Sequence, residues 1–336
     1  MDILNALVAF TNFVVVPATA YGAQLALGAL GVTLIYGVLR FSNFAHGETM
    51  SFGAMVVVLV TGLFQSWGVS LGVLPTALLA LPFGILATAL LLLATDKVVY
   101  KFYRKVKAAP VMLVIVSTGV MFVLNGVVRM IVGTDDRRFA DGARFVVNAR
   151  EFKAWSGLEE GLAIRTTQVI TVVVAMITVA ALFWFLNKTR TGKSMRAYSD
   201  NEDLALLSGI NPERVVTITW LLVAALATIA GALYGLDKSF KPFIFQQLLL
   251  PVFAAAIVGG IGNPLGAIAG GFVIAFSEVT LTYAFKKVVT YLGPDSWAPD
   301  GLVQLLSTDY KFAVSFAILI IVLLFKPTGL FKGQNI

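Results

Sequence analysis

The chain has 336 residues, 58% of them hydrophobic and only 13% charged, about half the charged share of an ordinary soluble domain. A water-soluble fold could not hide that much apolar surface. The absence of cysteine excludes disulfides, thiolate metal ligands and cysteine nucleophiles, and the net charge of +7 does not point to nucleic acid, because the basic residues lie in short segments beside apolar runs.

In chain order, the first 17 residues are apolar, begin with Asp2 instead of a basic n-region and end at Pro17. They do not read as a cleavable signal peptide, and whether they cross a membrane or lie in its interface is left open. Candidate spans follow at Thr19 to Leu39, Thr49 to Trp67, Val73 to Thr95, Ala109 to Gly133, Thr167 to Leu186, Val215 to Leu236 and Phe312 to Phe325, most of them near the ~20 residues that a bilayer core of roughly 30 Å requires. The stretch Leu248 to Phe285 is too long for one crossing. Gly259, Gly260, Gly262, Asn263 and Pro264 interrupt its middle, so it predicts a helical hairpin. The expected fold class is an all-α polytopic membrane protein of about 8–10 crossings, a single transmembrane domain over residues 1–336, with no low-complexity tract and no convincing internal repeat.

Lysine and arginine in short loops stay on the cytoplasmic side. Lys97, Lys101, Arg104, Lys105 and Lys107 mark one such segment, Lys188, Arg190, Lys193, Arg196 and Arg214 a second, and Lys326 with Lys332 the C-terminal tail. Segment 134–166 instead balances six basic residues against six acidic ones. Counting crossings from these anchors puts 134–166 and 286–311 outside and the glycine turn and C-terminus inside.

The cytoplasmic loop 189–214 carries its own punctuation. Ser199 and Glu202 have capping-box spacing, Leu204 to Leu207 follow, Gly209 supplies a left-handed stop, and Asn211 with Pro212 opens the next helix. The predicted helix, Asp200 to Ser208, is shorter than the ~12–15 residues at which isolated helices become marginal, so its leucines need a surface to pack on. Two readings stand: an interfacial helix on lipid or on the protein itself, or a docking helix for a cytoplasmic partner. Asp200, Asn201, Glu202 and Asp203 favour the partner, since anionic lipid repels acids. Gly192, Lys193 and Ser194 resemble the end of a phosphate-binding loop, but Asn187 stands where its first glycine belongs and a membrane helix precedes it. ATP binding is not expected of this chain.

Asn43, His46, Glu48, Thr49 and Ser51 interrupt apolar sequence. They form either a short cytoplasmic turn or a broken helix lining a translocation path. His46 is the only histidine, so no multi-histidine metal site can form. Gly262, Gly266 and Gly270 make small-xxx-small steps suited to helix packing. Glu278, alone on an apolar arm, is either paired within the bundle or faces the path.

Four blocks resemble a known family: 31–48 (GVTLIYGVLRFSNFAHGE), 190–215 (RTGKSMRAYSDNEDLALLSGINPERV), 258–271 (VGGIGNPLGAIAGG) and 310–330 (YKFAVSFAILIIVLLFKPTGL). In order and spacing, they are similar to the membrane permease subunits of branched-chain amino acid ABC importers, the LivH-like group. The resemblance implies a multi-pass permease of the bacterial cytoplasmic membrane without cofactor. It would pair with a second permease subunit, two cytoplasmic ATP-binding subunits and a periplasmic or surface-tethered binding protein docking on outer loops that include 134–166. It also implies that Gly192, Ser199, Asp200, Glu202, Leu204, Leu207 and Gly209 belong to the segment coupled to the ATPase subunits. Asn263, where the family more often has serine, and the charged segment 237–247 depart from the pattern near the presumed path and bear on the substrate. Leucine, isoleucine and valine are the leading expectation; related permeases carry urea, short amides or other amino acids. An ion-coupled secondary transporter would want more ionisable groups in its spans than His46, Glu48, Glu278 and Arg129. An enzyme would want a catalytic cluster that this chain lacks.

Overall fold

The computed structural model describes residues 1–139, 141–293, 301 and 303–331; the expected position of Lys332 and part of segment 286–311 lie outside them. Among the described residues, nine helices are long and apolar enough to cross a membrane, and the protein is an all-α polytopic membrane protein.

The first, α1 (Asp2–Leu39), is a single 38-residue helix. Pro17 does not end it, because a π-helical turn over Thr11–Val15 precedes the proline and absorbs the missing amide donor. Residues 1–17 are therefore the start of the first span and not a separate crossing. After Arg40, in a left-handed conformation, come α2 (His46–Ser66) and α3 (Ala77–Lys105). The latter runs through a π-turn at Asp96–Tyr100, so the basic segment expected as a loop is mostly helix. Next are α4 (Pro110–Val132), α5 (Ala149–Ser156) and α6 (Thr166–Lys188). Within 134–166, β1 (Phe145–Val147) pairs antiparallel with β2 (Ile164–Arg165). The chain continues through α7 (Arg190–Asp200), α8 (Glu202–Leu207) and α9 (Pro212–Lys238). The expected hairpin is α10 (Pro242–Gly259) and α11 (Pro264–Leu281). Finally come the short α12 (Lys286–Leu292) and α13 (Thr308–Phe325).

The core is α1 packed on α9, α10 and α11, with α2 and α3 on the other face of α9; α4, α6 and α13 are peripheral. Small residues bring the backbones together. A Cβ on Gly271 would lie 2.7 Å from the Ala26 amide of α1, and one on Gly270 would meet the Ala255 carbonyl and, at 2.9 Å, the Gly259 amide. Gly266 similarly rests on Gly259. Gly262 departs from the expected packing series: it lies in the turn between α10 and α11 at φ +85°, a left-handed position that suits glycine. Asn263 caps α11, its side chain accepting from the Gly266 amide at 3.1 Å.

The two ends of the bundle differ. At the basic end, Leu330 and Phe331 donate to the Val258 and Gly259 carbonyls, pinning the segment after α13 beside the glycine turn. At the opposite end, Asn5 accepts from the Glu159 and Glu160 amides and Asn12 from Ala163. Glu160 takes Lys287 Nζ at 2.8 Å. The N-terminal turns of α1 are thus built into 134–166 and α12.

Gly270→Ala should lower thermal stability by about 1–3 kcal/mol through backbone overpacking. Gly119→Ala on α4, where a Cβ meets nothing within 4 Å, should be neutral or stabilising through helix propensity. Melting of the purified variants in detergent checks this; equal melting temperatures would contradict the packing argument.

Candidate functional site

At the basic end, Thr189 caps α7 by accepting from the Gly192 amide at 3.0 Å, and Gly192 packs directly on the backbone of Phe185 and Leu186. No larger residue fits there. Ser199, expected as the cap of the docking helix, lies inside α7 instead: its hydroxyl donates to the Gly37 carbonyl at 2.9 Å, and its carbonyl accepts from the Arg40 guanidinium. Asn201 takes the capping role, accepting from the Leu204 amide at 3.0 Å. Glu202 does not close a capping box but accepts the Tyr198 hydroxyl at 2.6 Å. Burial, reinforced by that carboxylate, pushes the Tyr198 phenol above its ordinary pKa.

The result is a six-residue helix, α8, held at both ends. Gly209 stops it at φ +79°, Ile210 donates back to Ala205 at 3.0 Å, and Asn211 caps α9 through the Arg214 amide at 3.3 Å. Ala205 faces inward at 3% exposure while Leu204 and Leu207 stand 61% and 85% exposed. Asp200, Glu202 and Asp203 are exposed around them.

A network not legible in the sequence joins this end to the helices. Tyr100 donates to Asn43 Oδ1 at 3.2 Å and stacks on Trp220 at 5.4 Å. Trp220 Nε1 donates to Asp96 at 2.8 Å, and Arg104 closes a two-pronged pair on the same carboxylate, one prong at 2.9 Å. Lys101 reaches Glu213 at 2.8 Å. Asp96, Tyr100 and Trp220 carry no local signal for these contacts, which bridge up to 124 residues of sequence.

The polar cluster between α1 and α2 divides. Asn43 organises the turn, its side chain accepting from the Ala45 amide at 3.1 Å. Thr49 bonds back to the Ala45 carbonyl at 2.9 Å. His46 is fully buried against α1, where a Cβ on Gly31 would sit 2.5 Å from its Cε1. Glu48 reaches α4: at 1% exposure, its Oε1 accepts from Asn125 Nδ2 at 2.7 Å and its Oε2 has no hydrogen-bond partner among the described residues. Asn125 lies 15 residues into α4, about 22 Å at 1.5 Å per residue, so this is a polar contact within the span. One turn on, Arg129 lies 3.7 Å over the Phe243 ring. Phe243 begins an exposed face of α10 that includes Gln246, Gln247 and Leu250, and Phe253 of the same helix stacks on Phe44 at 5.3 Å. Two glutamines on the outer face of a membrane span suit a protein neighbour or water better than lipid.

Glu278 is not brought to this cluster. It lies toward the opposite end, 1% exposed, and accepts from the Ser315 hydroxyl of α13.

Residues 15–323 match the family described as branched-chain amino acid transport system / permease component. The high-affinity branched-chain amino acid transport system permease protein LivH of Salmonella typhimurium is 30% identical over 92% of this chain and 91% of that protein. BraD of Pseudomonas aeruginosa is 28% identical over 92% of each. The probable LivH of Methanocaldococcus jannaschii is 28% identical over 93% of this chain and 90% of that protein. With a match that spans seven of the nine membrane helices entirely, beginning inside the first and ending inside the last, this chain belongs to the branched-chain amino acid transport permease family.

Proposed function

We propose that the chain is the permease subunit of an ATP-driven ABC importer of amino acids, leucine, isoleucine and valine foremost, in the bacterial cytoplasmic membrane. What carries this reading is the family match from residue 15 to 323. The basic residues of α3, α6 and α7 gather at one end of the bundle, and by the positive-inside rule that end and the C-terminus are cytoplasmic. The segment 134–166 then lies outside, where a substrate-binding protein would dock.

On this orientation α8 presents Leu204 and Leu207, ringed by acids, to the cytoplasm. Leucines exposed on a rigidly capped single turn suit a groove in a separate ATP-binding subunit, two of which the importer would use. Motion of α8 passes through α7 to Gly37 and Arg40 at the end of α1, and α1 is packed along α9 and α11. The face formed by Asn125, Arg129 and the glutamines of α10, backed by the buried Glu48, would meet the second permease subunit and line the path between the two. There a hydrated or polar surface lowers the barrier for a zwitterion that hydrocarbon would reject.

Leu204→Asp combined with Leu207→Asp should abolish uptake and release the ATP-binding subunits while leaving the chain inserted. Normal uptake by the inserted double variant would remove α8 from the coupling role. For the path, Asn125→Leu leaves the Glu48 carboxylate without its donor and should cost about 1–3 kcal/mol of stability. Adding Glu48→Leu should recover part of that in a double-mutant cycle. Additive losses in melting measurements would show that the two side chains do not interact.

A further inference from the structure

A second polar site lies away from the face just described, near the end of the bundle that carries 134–166. A cavity of about 300 Å³ is lined by Phe13 and Tyr21 of α1, Lys238 at the end of α9, Glu278 of α11, Tyr283 just after α11, and Lys311 of α13, among others. Its charges are incompletely matched. Glu278 is 99% shielded from solvent, one carboxylate oxygen accepting from Ser315; the other, Oε2, has no partner within hydrogen-bond distance among the described residues, and the Tyr21 hydroxyl, likewise without one, lies beside this carboxylate as a further protein donor. Lys238 and Lys311 line the same space, and neither has a carboxylate within ion-pair distance among the described residues. Their ammonium groups rest on aromatic faces instead, Lys238 at 4.7 Å from the Tyr21 centroid and Lys311 at 4.6 Å from that of Phe312.

A carboxylate with acceptor capacity left beside the Tyr21 hydroxyl, opposite two ammonium groups and next to the rings of Phe13 and Tyr283, has a definite chemical complement. It is a small molecule carrying its own ammonium, its own anionic group and an apolar remainder. We propose that this cavity binds the free α-amino acid zwitterion, with the substrate ammonium on Glu278 Oε2, its carboxylate between Lys238 and Lys311, and its side chain against Phe13 and Tyr283. The proposal rests on the importer reading and deepens it by placing an amino-acid site within this one chain, apart from the face assigned to the second permease. Lys238 also lines the larger neighbouring cavity of about 760 Å³, with Arg138, Arg144 and Arg165 set against Asp141 and Asp237, so the approach from that end carries charges of both signs, as a zwitterion does. A zwitterionic lipid headgroup shares the ammonium-plus-anion chemistry, and the test below separates the two.

The test is competitive binding to the purified full-length chain in detergent, with labelled L-leucine as probe and with L-alanine, L-leucine methyl ester, 4-methylpentanoate and phosphoethanolamine as competitors. Saturable leucine binding is expected, with alanine competing. The methyl ester, which lacks the carboxylate, and 4-methylpentanoate, which lacks the ammonium, should each bind at least about tenfold more weakly, as loss of one charge-assisted contact implies. Glu278→Gln should weaken leucine at least about tenfold but leave 4-methylpentanoate nearly unchanged. Lys311→Met should weaken both while sparing the methyl ester. The competitor series on the unaltered chain decides the matter even if a variant fails to fold. Absence of saturable leucine binding, equal binding of all analogues, or displacement by phosphoethanolamine at lower concentration than by alanine would each overturn the proposal. A chain that still assembles with ATP-binding subunits yet shows any of these results loses this site alone, not the importer reading.

Discussion

Helices within a bilayer gain nothing by exchanging lipid for one another's leucines, so this bundle depends on places where backbones touch. The central one is the contact of α1 with α11, where Gly271 admits Ala26 and Gly22 admits Phe272. The hairpin partner α10 is drawn to α11 through Gly266 and Gly270, and α2 is seated on α9 where Gly231 meets the Met50 carbonyl. A methyl group at Gly231, Gly266, Gly270 or Gly271 meets backbone and forces two spans apart, whereas at Gly22 the Phe272 ring must move. Elsewhere, peripheral spans such as α4 and α13 add polar contacts to their packing: Asn125 to Glu48 and Ser117 to the Phe44 amide for α4, and Ser315 to Glu278 for α13.

That core makes α1 a mast running from one end of the protein to the other. Its first turns hold 159–163 through Asn5 and Asn12, and its last residues hold α7 through Gly37 and Arg40. The Asp96, Arg104, Trp220, Tyr100 and Asn43 network ties α3, α9 and the turn after α1 into one rigid floor. A short helix mounted on such a floor can pass displacement inward without dissipating it, which a floppy loop of the same length could not.

The spans, the α10–α11 hairpin and the capping of α9 by Asn211 and Pro212 were legible in the sequence, because run length and turn chemistry are local. Pro17 read as a break because proline removes a helical donor, and only the π-turn before it reveals how the helix continues. Ser199 and Asn201 are both good caps. The choice between them was made by Gly37 and Arg40, some 160 residues away, which no local pattern carries. Gly262 followed the small-xxx-small spacing yet fell in the turn, since the same glycines that permit packing also permit the bend. Of the candidate path residues, Glu48 gained a partner on α4 and Asn43, besides ordering its turn, one on α3, while Thr49 proved to be a helix-start group. Glu278, which its isolation on an apolar arm left either paired within the bundle or facing the path, is buried and paired with Ser315.

The most direct test of the importer assignment is affinity purification of the tagged chain from its native membrane in mild detergent, followed by identification of what accompanies it. Recovery with ATP-binding subunits and a second, related permease is the expected result. Recovery alone, with amino acid uptake that survives ATP depletion and collapses with the ion gradient, would contradict it and make the chain a secondary transporter.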